Sequence, residues 1–528
     1  MPRDRNLLYL AAGLVLLAAI KLWLVRGDRI VARPLPQDDL DYLKAAGNWY
    51  WGAKRYGVLT FVRLPGYPLF VALSRVTRLP LRFTTELLQL AGAAAAALAF
   101  YYSGMRRWFC LVLYGALIFH PATFAQNCYA STDAFFTGIT FFAVAALVMQ
   151  LATRRIVYAA LSGLAIGVLW NTREEAILMA GYVAGFFGIL LWNWREWRPV
   201  AWHAAVACAV IAVICIGCDT ANYKKYGNFA KSDFASADFQ AAIKALLRIK
   251  PAAETPRYIP VPAATRQLAY AASPALREVA PLLDGTAGRG WKILGAPLGI
   301  QDDYVFAYLL WGLRDVTAQA GKYESPETAR AYYRAVADQI NGAIDRGELP
   351  HRFVFSTFTD PDFAQYVRYF PASVLRICGM FVATQPAIAP PWSASGGPPV
   401  SPRQEELFRR MTNETEVNCE APGAVTMVIR EAIARFYGPV IACLTALAGV
   451  GVIYLLVVDR ARFLRSTACA VVALVLMIVA GRVVLLGMIT CSSWDAYSAR
   501  YLLPVLGLYG CALGIVIHEA ALAWRTRR

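Results

Sequence analysis

Charge is what this chain has least of. Only 16% of its 528 residues are Asp, Glu, Lys or Arg, against 58% hydrophobic, and the mean hydropathy is +0.44. So apolar a composition excludes a string of ordinary soluble domains, whose surfaces would aggregate in water. CxxC pairs and Cys/His ligand spacing are also missing. The eleven cysteines are scattered, and most (Cys110, Cys208, Cys215, Cys443, Cys469, Cys511) lie in apolar runs, where Cys acts as a small apolar residue. Nothing in that pattern supports a zinc centre. No small-residue cleavage site follows Leu22-Trp23-Leu24-Val25, so the first apolar run is expected to stay as an anchor rather than be removed as a signal peptide. No internal repeat is visible, and paired hydropathy repeats are what a secondary transporter would be expected to show.

The hydrophobicity comes in blocks of about 20 residues, long enough to cross a ~30 Å hydrocarbon core as helices. Ten spans are expected, at about 7–25, 83–103, 108–124, 132–152, 156–171, 175–192, 199–218, 436–458, 467–490 and 500–523. The fold class is therefore an all-α polytopic membrane protein with about ten transmembrane helices. A net charge of +17 invites a nucleic-acid reading. With the N-terminus inside, however, fourteen arginines (3, 5, 106, 107, 154, 155, 195, 198, 460, 462, 465, 525, 527 and 528) fall in short cytoplasmic pieces and face only Asp4, Glu196 and Asp459. The surplus is an orientation signal, and no nucleic-acid partner is expected. The first exterior loop departs from the rule, because it holds Arg26, Arg29, Arg33, Lys44, Lys54, Arg55 and Arg63.

This map divides the chain into an N-terminal transmembrane module, 1–218, with an exterior loop at 26–82; an extracytoplasmic domain, 219–435; and a C-terminal transmembrane module, 436–528. Over 200 residues is too long for a connector. Within the middle segment, 326–346 has Pro near its start and helical apolar spacing, and the aromatic-rich 303–320 is a second helix, so the domain is read as mostly helical. The Pro/Gly/Ser stretch about 385–402 cannot hold regular structure and is expected to be a flexible loop. Cys378 and Cys419 flank it and would pair in an oxidising compartment. Asn413-Glu414-Thr415 is a glycosylation sequon that matters only in a host that uses it.

Chemistry concentrates in the first exterior loop. Pro34-Leu35-Pro36-Gln37-Asp38-Asp39-Leu40-Asp41-Tyr42 puts three carboxylates in four residues at the membrane surface. They suit either the acidic first turn of a helix or a catalytic group. The sequel is Asn48-Trp49-Tyr50-Trp51 and then Arg63-Leu64-Pro65-Gly66-Tyr67-Pro68. Further exterior candidates are Asp133, read as a helix cap or a second acid; Arg173, with Glu174 and Glu175, read as a surface ion pair or a phosphate ligand; and Arg500, beside Trp494, Tyr497 and Tyr501, read as a snorkelling or a phosphate-binding residue. His120, before Pro121, is read as a kink. Arg482 is an intramembrane charge, of a kind that is expensive and tends to be paired or functional.

This order of elements resembles the GT-C superfamily of membrane glycosyltransferases, which take sugars from polyprenyl-phosphate donors and include the protein O-mannosyltransferases and the lipid A aminoarabinose transferases. Asp38-Asp39-Leu40-Asp41-Tyr42 is similar to the acidic pair that opens the first exterior loop there, although Asp39 stands where Glu or Ser is commoner. Arg63 matches the cation before Pro, Asp133 the second acid, Arg173 the turn after the fifth span, and Ser498-Ala499-Arg500-Tyr501 the late Arg-Tyr element. The resemblance covers about 1–218 and 436–528.

What it implies is a GT-C-like fold with catalytic Asp38, Asp39 and Asp133, donor-phosphate ligands Arg63, Arg173 and Arg500, and substrate contacts from Tyr42, Tyr67 and Tyr501. The implied partners are a polyprenyl-phosphate sugar as donor, a glycan, lipid or protein acceptor, and membrane lipid. No cofactor is assigned, and a divalent metal stays open. The implied location is the cell's inner (plasma) membrane, multi-pass, with the active site on the extracytoplasmic, periplasmic side. A polysaccharide polymerase or ligase, or a lipid-linked sugar transporter, is the alternative. The chemistry suits the residues: a carboxylate takes the acceptor's proton, and arginines meet the charge that gathers on the departing phosphate.

Overall fold

The computed structural model describes residues 2–31, 38–357, 360–382, 401–415 and 423–527. The described chain is helical, and its one β-type contact is an isolated bridge between Ile249 and His351. The N-terminal half runs through α1 (Pro2–Leu24), α2 (Asp38–Gly47), α3 (Gly66–Thr77), α4 (Leu81–Tyr102), α5 (Arg107–Ile118), α6 (Ala122–Gln126), α7 (Thr132–Thr153), α8 (Ile156–Trp170), α9 (Ile177–Trp194) and α10 (Trp197–Tyr226). The middle contributes α11 (Ala237–Arg248), α12 (Ala263–Ala272), α13 (Pro274–Leu283), α14 (Thr286–Lys292), α15 (Phe306–Gln319), α16 (Pro326–Asp345), α17 (Phe363–Tyr366), α18 (Phe370–Val382) and α19 (Pro402–Thr412). The chain closes with α20 (Ala424–Val458), α21 (Arg460–Leu464), α22 (Thr467–Ser492) and α23 (Ala499–Arg527).

Among the described residues seven helices (α1, α4, α7, α10, α20, α22 and α23) are long and apolar enough to cross a bilayer, which makes this a multi-pass membrane protein. Three of the ten expected spans coincide with shorter helices. At ~1.5 Å per residue, the 12-residue α5 reaches about 18 Å. Its apolar run continues in sequence, but His120 precedes Pro121, whose ring disfavours a helical conformation at the residue before it, and the chain turns into α6. α20 departs the other way. Its 35 residues begin twelve positions before the expected span and extend about 52 Å.

α7 lies at the centre of the membrane module and crosses α4 closely. A Cβ added at Gly92 would stand 2.5 Å from the Gly138 carbonyl oxygen, so only glycine permits this approach, as small residues do between membrane helices generally. The middle domain, α11 to α16, builds its own core from Phe239, Ile243, Leu246, Leu313, Tyr333 and Ile340. α16 starts where expected: Ser325 Oγ accepts the Thr328 N–H at 3.2 Å, and Pro326 occupies the first turn. The domain is clamped to the membrane module by Arg257, which donates to the Thr490 and Cys491 carbonyls at 2.6 and 3.0 Å, and by Tyr258, whose hydroxyl reaches Thr490 at 2.7 Å. These acceptors are the free carbonyls of the last turn of α22.

The remainder of the 219–435 segment folds back on the membrane module. Ile377, Met380 and Phe381 of α18 join its core, and Phe408 and Met411 of α19 pack among Tyr42, Leu43, Tyr67 and Val71 of α2 and α3. Residues 385–400 of the expected flexible loop, and Cys419, lie outside the described residues; Pro402 opens α19. Below the first loop sits a closed ion cluster. Asp28 pairs with Arg430 at 2.8 Å and Arg82 at 3.5 Å, Glu86 with Arg82 and with Lys21 at 3.7 Å. Asn127 donates to Glu86 at 3.1 Å, Lys21 to Thr123 Oγ1 at 2.8 Å, and every member is buried.

Candidate active site

α2 presents its acidic turn as helical geometry dictates. Asp38, Asp41 and Tyr42 fall on one face, spaced three and four residues apart, and Asp39 turns into the protein, where it is 4% exposed. Arg63 meets that face: its guanidinium hydrogen-bonds Asp38 and lies 3.4 Å from Asp41. It is sandwiched between the rings of Tyr42, 5.3 Å away, and Trp311 of α15, 4.6 Å away. The loop that carries it is held at both ends. Tyr50 donates its hydroxyl to the Arg63 carbonyl at 2.5 Å, and the Gly66 N–H donates to the Asn171 carbonyl at 2.8 Å. A Cβ on Gly66 would stand 2.4 Å from Thr172 Oγ1, so the loop abuts the turn bearing Arg173 because this residue has no side chain.

From Arg63 the charges run on without a gap. Asp38 lies 4.0 Å from Arg500, Arg500 lies 3.8 Å from Asp133, Asp133 pairs with Arg173, Arg173 with Glu175 at 3.0 Å, and Glu175 with Arg482. Arg482 also donates to the Tyr501 carbonyl at 2.7 Å, and Arg500 to the Tyr501 hydroxyl at 2.8 Å. The structure thus brings Asp38, Asp133, Arg63, Arg173, Arg500 and Tyr501 into one cluster. Asp39 is buried on α2. Tyr42 and Tyr67, expected to touch substrate, are buried edge to face with centroids 5.2 Å apart; they support α2 and Arg63 and do not line an open surface.

Five residues in or beside the cluster lie outside the candidate set read from the motifs. Asp41 was visible in the same acidic run, and its place three residues after Asp38 is the signal that helical spacing assigns to one face. Glu174 and Glu175 flank Arg173 in sequence. Arg482 announced itself as an intramembrane charge, but nothing in a linear sequence names a partner 307 residues away. Trp311 carried no signal.

The electrostatics of the cluster are uneven. Burial pushes the Asp41 carboxyl above the usual range, with Arg63 opposing. Glu174 is reached by solvent although protein atoms crowd it from several sides, and that crowding raises its carboxyl against the pull of Arg63. Burial would raise Glu175 too, but Arg173 and Arg482 outweigh it and hold the group at about 2. Asp38 is the most open acid in contact with Arg63, its side chain 41% exposed. Beside the Arg482 end lies a narrow apolar cleft of about 60 Å³ between α7, α8, α9, α22 and α23, walled by Phe136, Ile166, Tyr182, Phe186, Met477 and Val505. Among the described residues no group of three or more His, Cys, Asp or Glu has the arrangement of a metal site.

No family model matches the sequence, and no curated protein matches it significantly. Among solved structures the chain is similar to ArnT from Cupriavidus metallidurans in the apo state, at 13% identity and a TM-score of 0.33 over 97% of this chain and 78% of that one. It is similar also to the same protein bound to undecaprenyl phosphate, at 14% identity and a TM-score of 0.32 over 96% and 77%. Values this low assign neither activity nor ligand to the present chain.

Proposed function

We propose that the chain is an inverting membrane glycosyltransferase that moves a sugar from a polyprenyl-phosphate donor to a glycan, lipid or protein acceptor on the extracytoplasmic face of the inner membrane. The observation that carries this reading is the row of Arg63, Arg500, Arg173 and Arg482, alternating with carboxylates and ending at an apolar cleft. A lipid phosphate needs both halves: guanidinium groups for its oxygens and an apolar slot for its chain. In the reaction the acceptor's hydroxyl oxygen attacks the anomeric carbon, the bond from that carbon to the phosphate oxygen breaks, and its electron pair leaves with the phosphate. The hydroxyl proton passes to a carboxylate.

Asp38 suits that last role. In the resting site it is held between Arg63 and Arg500; a donor phosphate competes for the same guanidinium groups and frees the carboxylate as it binds. Asp133 and Glu175 keep Arg173 aimed at the site. The test is release of polyprenyl phosphate by the purified full-length protein from a labelled polyprenyl-monophosphate sugar. Turnover that requires a pyrophosphate-linked donor would move the protein to the polymerase or ligase class, and no turnover of either donor with any acceptor class would end the enzyme reading.

A further inference from the structure

A second cationic surface lies on the far side of the first exterior loop. A cavity of about 430 Å³ is lined by Trp49, Ala72, Arg75, Val76, Arg78 and Asn413. Its walls converge from three places: the turn after α2, the C-terminal turn of α3, and the residue after α19. Asn413 fastens the last to the second, donating from its amide to the carbonyls of Leu79 and Ser74 at 2.9 and 3.3 Å. Trp49, Arg78 and Asn413 all hold left-handed backbone, with φ of 49°, 61° and 55°. Asparagine tolerates this region, but tryptophan and arginine visit it at a cost.

Both arginines are exposed, and among the described residues neither has a carboxylate partner; Arg75 approaches Met411 Sδ at 4.0 Å. Of the described acids nearby, Glu405 pairs with Arg409 at 2.6 Å and Glu414 accepts from the Ile30 N–H at 3.4 Å. The surroundings are apolar: Leu73, Val76 and Leu79 are exposed beside the pocket, and Phe83 and Leu87 are exposed on α4. Because α4 is a span that begins at Leu81, residues three to six positions earlier stand at headgroup depth. The exposed Trp49 is of the type enriched at that level.

We propose that this pocket binds the headgroup of an anionic phospholipid from the surrounding leaflet, with Arg75 and Arg78 on the phosphate and Trp49, Val76 and Leu73 against the glycerol and upper acyl chains. Two guanidinium groups without a carboxylate partner among the described residues supply the charge complement, and the exposed apolar residues face the bilayer from which this ligand comes. The site is independent of the transfer reaction, and it sits on α3, whose other face carries Tyr67 and Val71 beneath α2.

The test is native mass spectrometry of the purified full-length protein released from membranes of equal phosphatidylglycerol and phosphatidylcholine. An arginine near an anionic lipid surface is worth about a factor of five, so two should retain phosphatidylglycerol with a preference on the order of 30-fold. Arg75→Ala with Arg78→Ala should bring that preference close to parity, Arg75→Lys with Arg78→Lys should keep most of it, and Arg460→Ala with Arg525→Ala should leave it unchanged. Melting temperature in neutral detergent checks that each variant is folded. A folded double alanine variant that still prefers phosphatidylglycerol as wild type does, equal loss in the Arg460/Arg525 pair, or no preference in the wild type would overturn the site.

Discussion

Two ion networks lie within the same protein, and they differ in one respect. The cluster of Lys21, Asp28, Arg82, Glu86 and Arg430 is closed: its side chains are almost wholly buried, and the neutral polar groups of Asn127 and Thr123 hydrogen-bond to it. The cluster of Asp38, Arg63, Asp133, Arg173, Glu175, Arg482 and Arg500 uses the same residue types but opens at Asp38, Glu174 and Arg500. A closed network has no vacancy for a ligand, so its worth lies in seating the first loop. An open one can trade an internal partner for a substrate. Buried charge alone does not mark function; access to buried charge does.

The comparison breaks most sharply at Asp38. Asp38→Asn should lower transfer by about 10²–10⁴-fold, the range for losing a general base, while stability moves by less than about 0.5 kcal/mol, as for an exposed position. Near-normal activity with loss in Asp39→Asn would shift the base to the buried neighbour, and loss in neither would remove the assignment. Glu86→Gln is the converse experiment. It strips a counterion from the buried Lys21 and Arg82, so denaturant titration should register a loss of about 3–5 kcal/mol, with the molecules that remain folded transferring sugar normally.

Arg63→Ala comes next in size. Removing a charge-assisted contact that tightens as the phosphate departs should cost on the order of 2–4 kcal/mol, or about 30–1000-fold, in turnover. Arg63→Lys retains a point charge without the fork and should fall between. Equal rates and donor concentrations for all three proteins would pass the phosphate role to Arg500 or Arg173. A carboxyl in neither network supplies a control for both. Asp360 is 1% exposed, and burial lifts it from 3.8 to about 6, because Asp362 engages the nearby Arg352. A raised carboxyl stabilises the fold while it is protonated, so stability should be highest below pH 3.8 and decline as pH rises through 6. The decline should approach about 3 kcal/mol by neutrality. Melting curves of Asp360→Asn should lose that slope.

How much of this was legible in the sequence follows from the range of each interaction. Helix positions governed by local rules were readable: α16 starts on Ser325-Pro326, and α15 follows its aromatic periodicity. Span lengths were less so, because an apolar window passes over His120-Pro121 without registering the break, and the first turns of α20 carry Arg430, Glu431 and Arg435, which hide a helix from a hydropathy scale. α18 reads as part of an exterior domain by position, yet its Ile377, Met380 and Phe381 pack on α22 and α23. Within the site, Asp38, Arg63, Asp133, Arg173 and Arg500 could each be singled out beside an apolar span. Their mutual arrangement could not, and neither could the pairing of Arg482 with Glu175, which joins turns remote in sequence.

The clasp of Arg430 on Asp28 also has a history in time. The two are 402 residues apart, and at ~5–20 residues per second a ribosome needs roughly 20–80 s to travel from one to the other. Through that interval Asp28 has Arg82 and Lys21 near it but not Arg430, and Glu175 has Arg173 but not Arg482. The amino-terminal helices therefore enter the bilayer before either network has its full set of cations. A nascent chain stalled ahead of α20 holds every residue of the acidic loop and still lacks the cation that seats it.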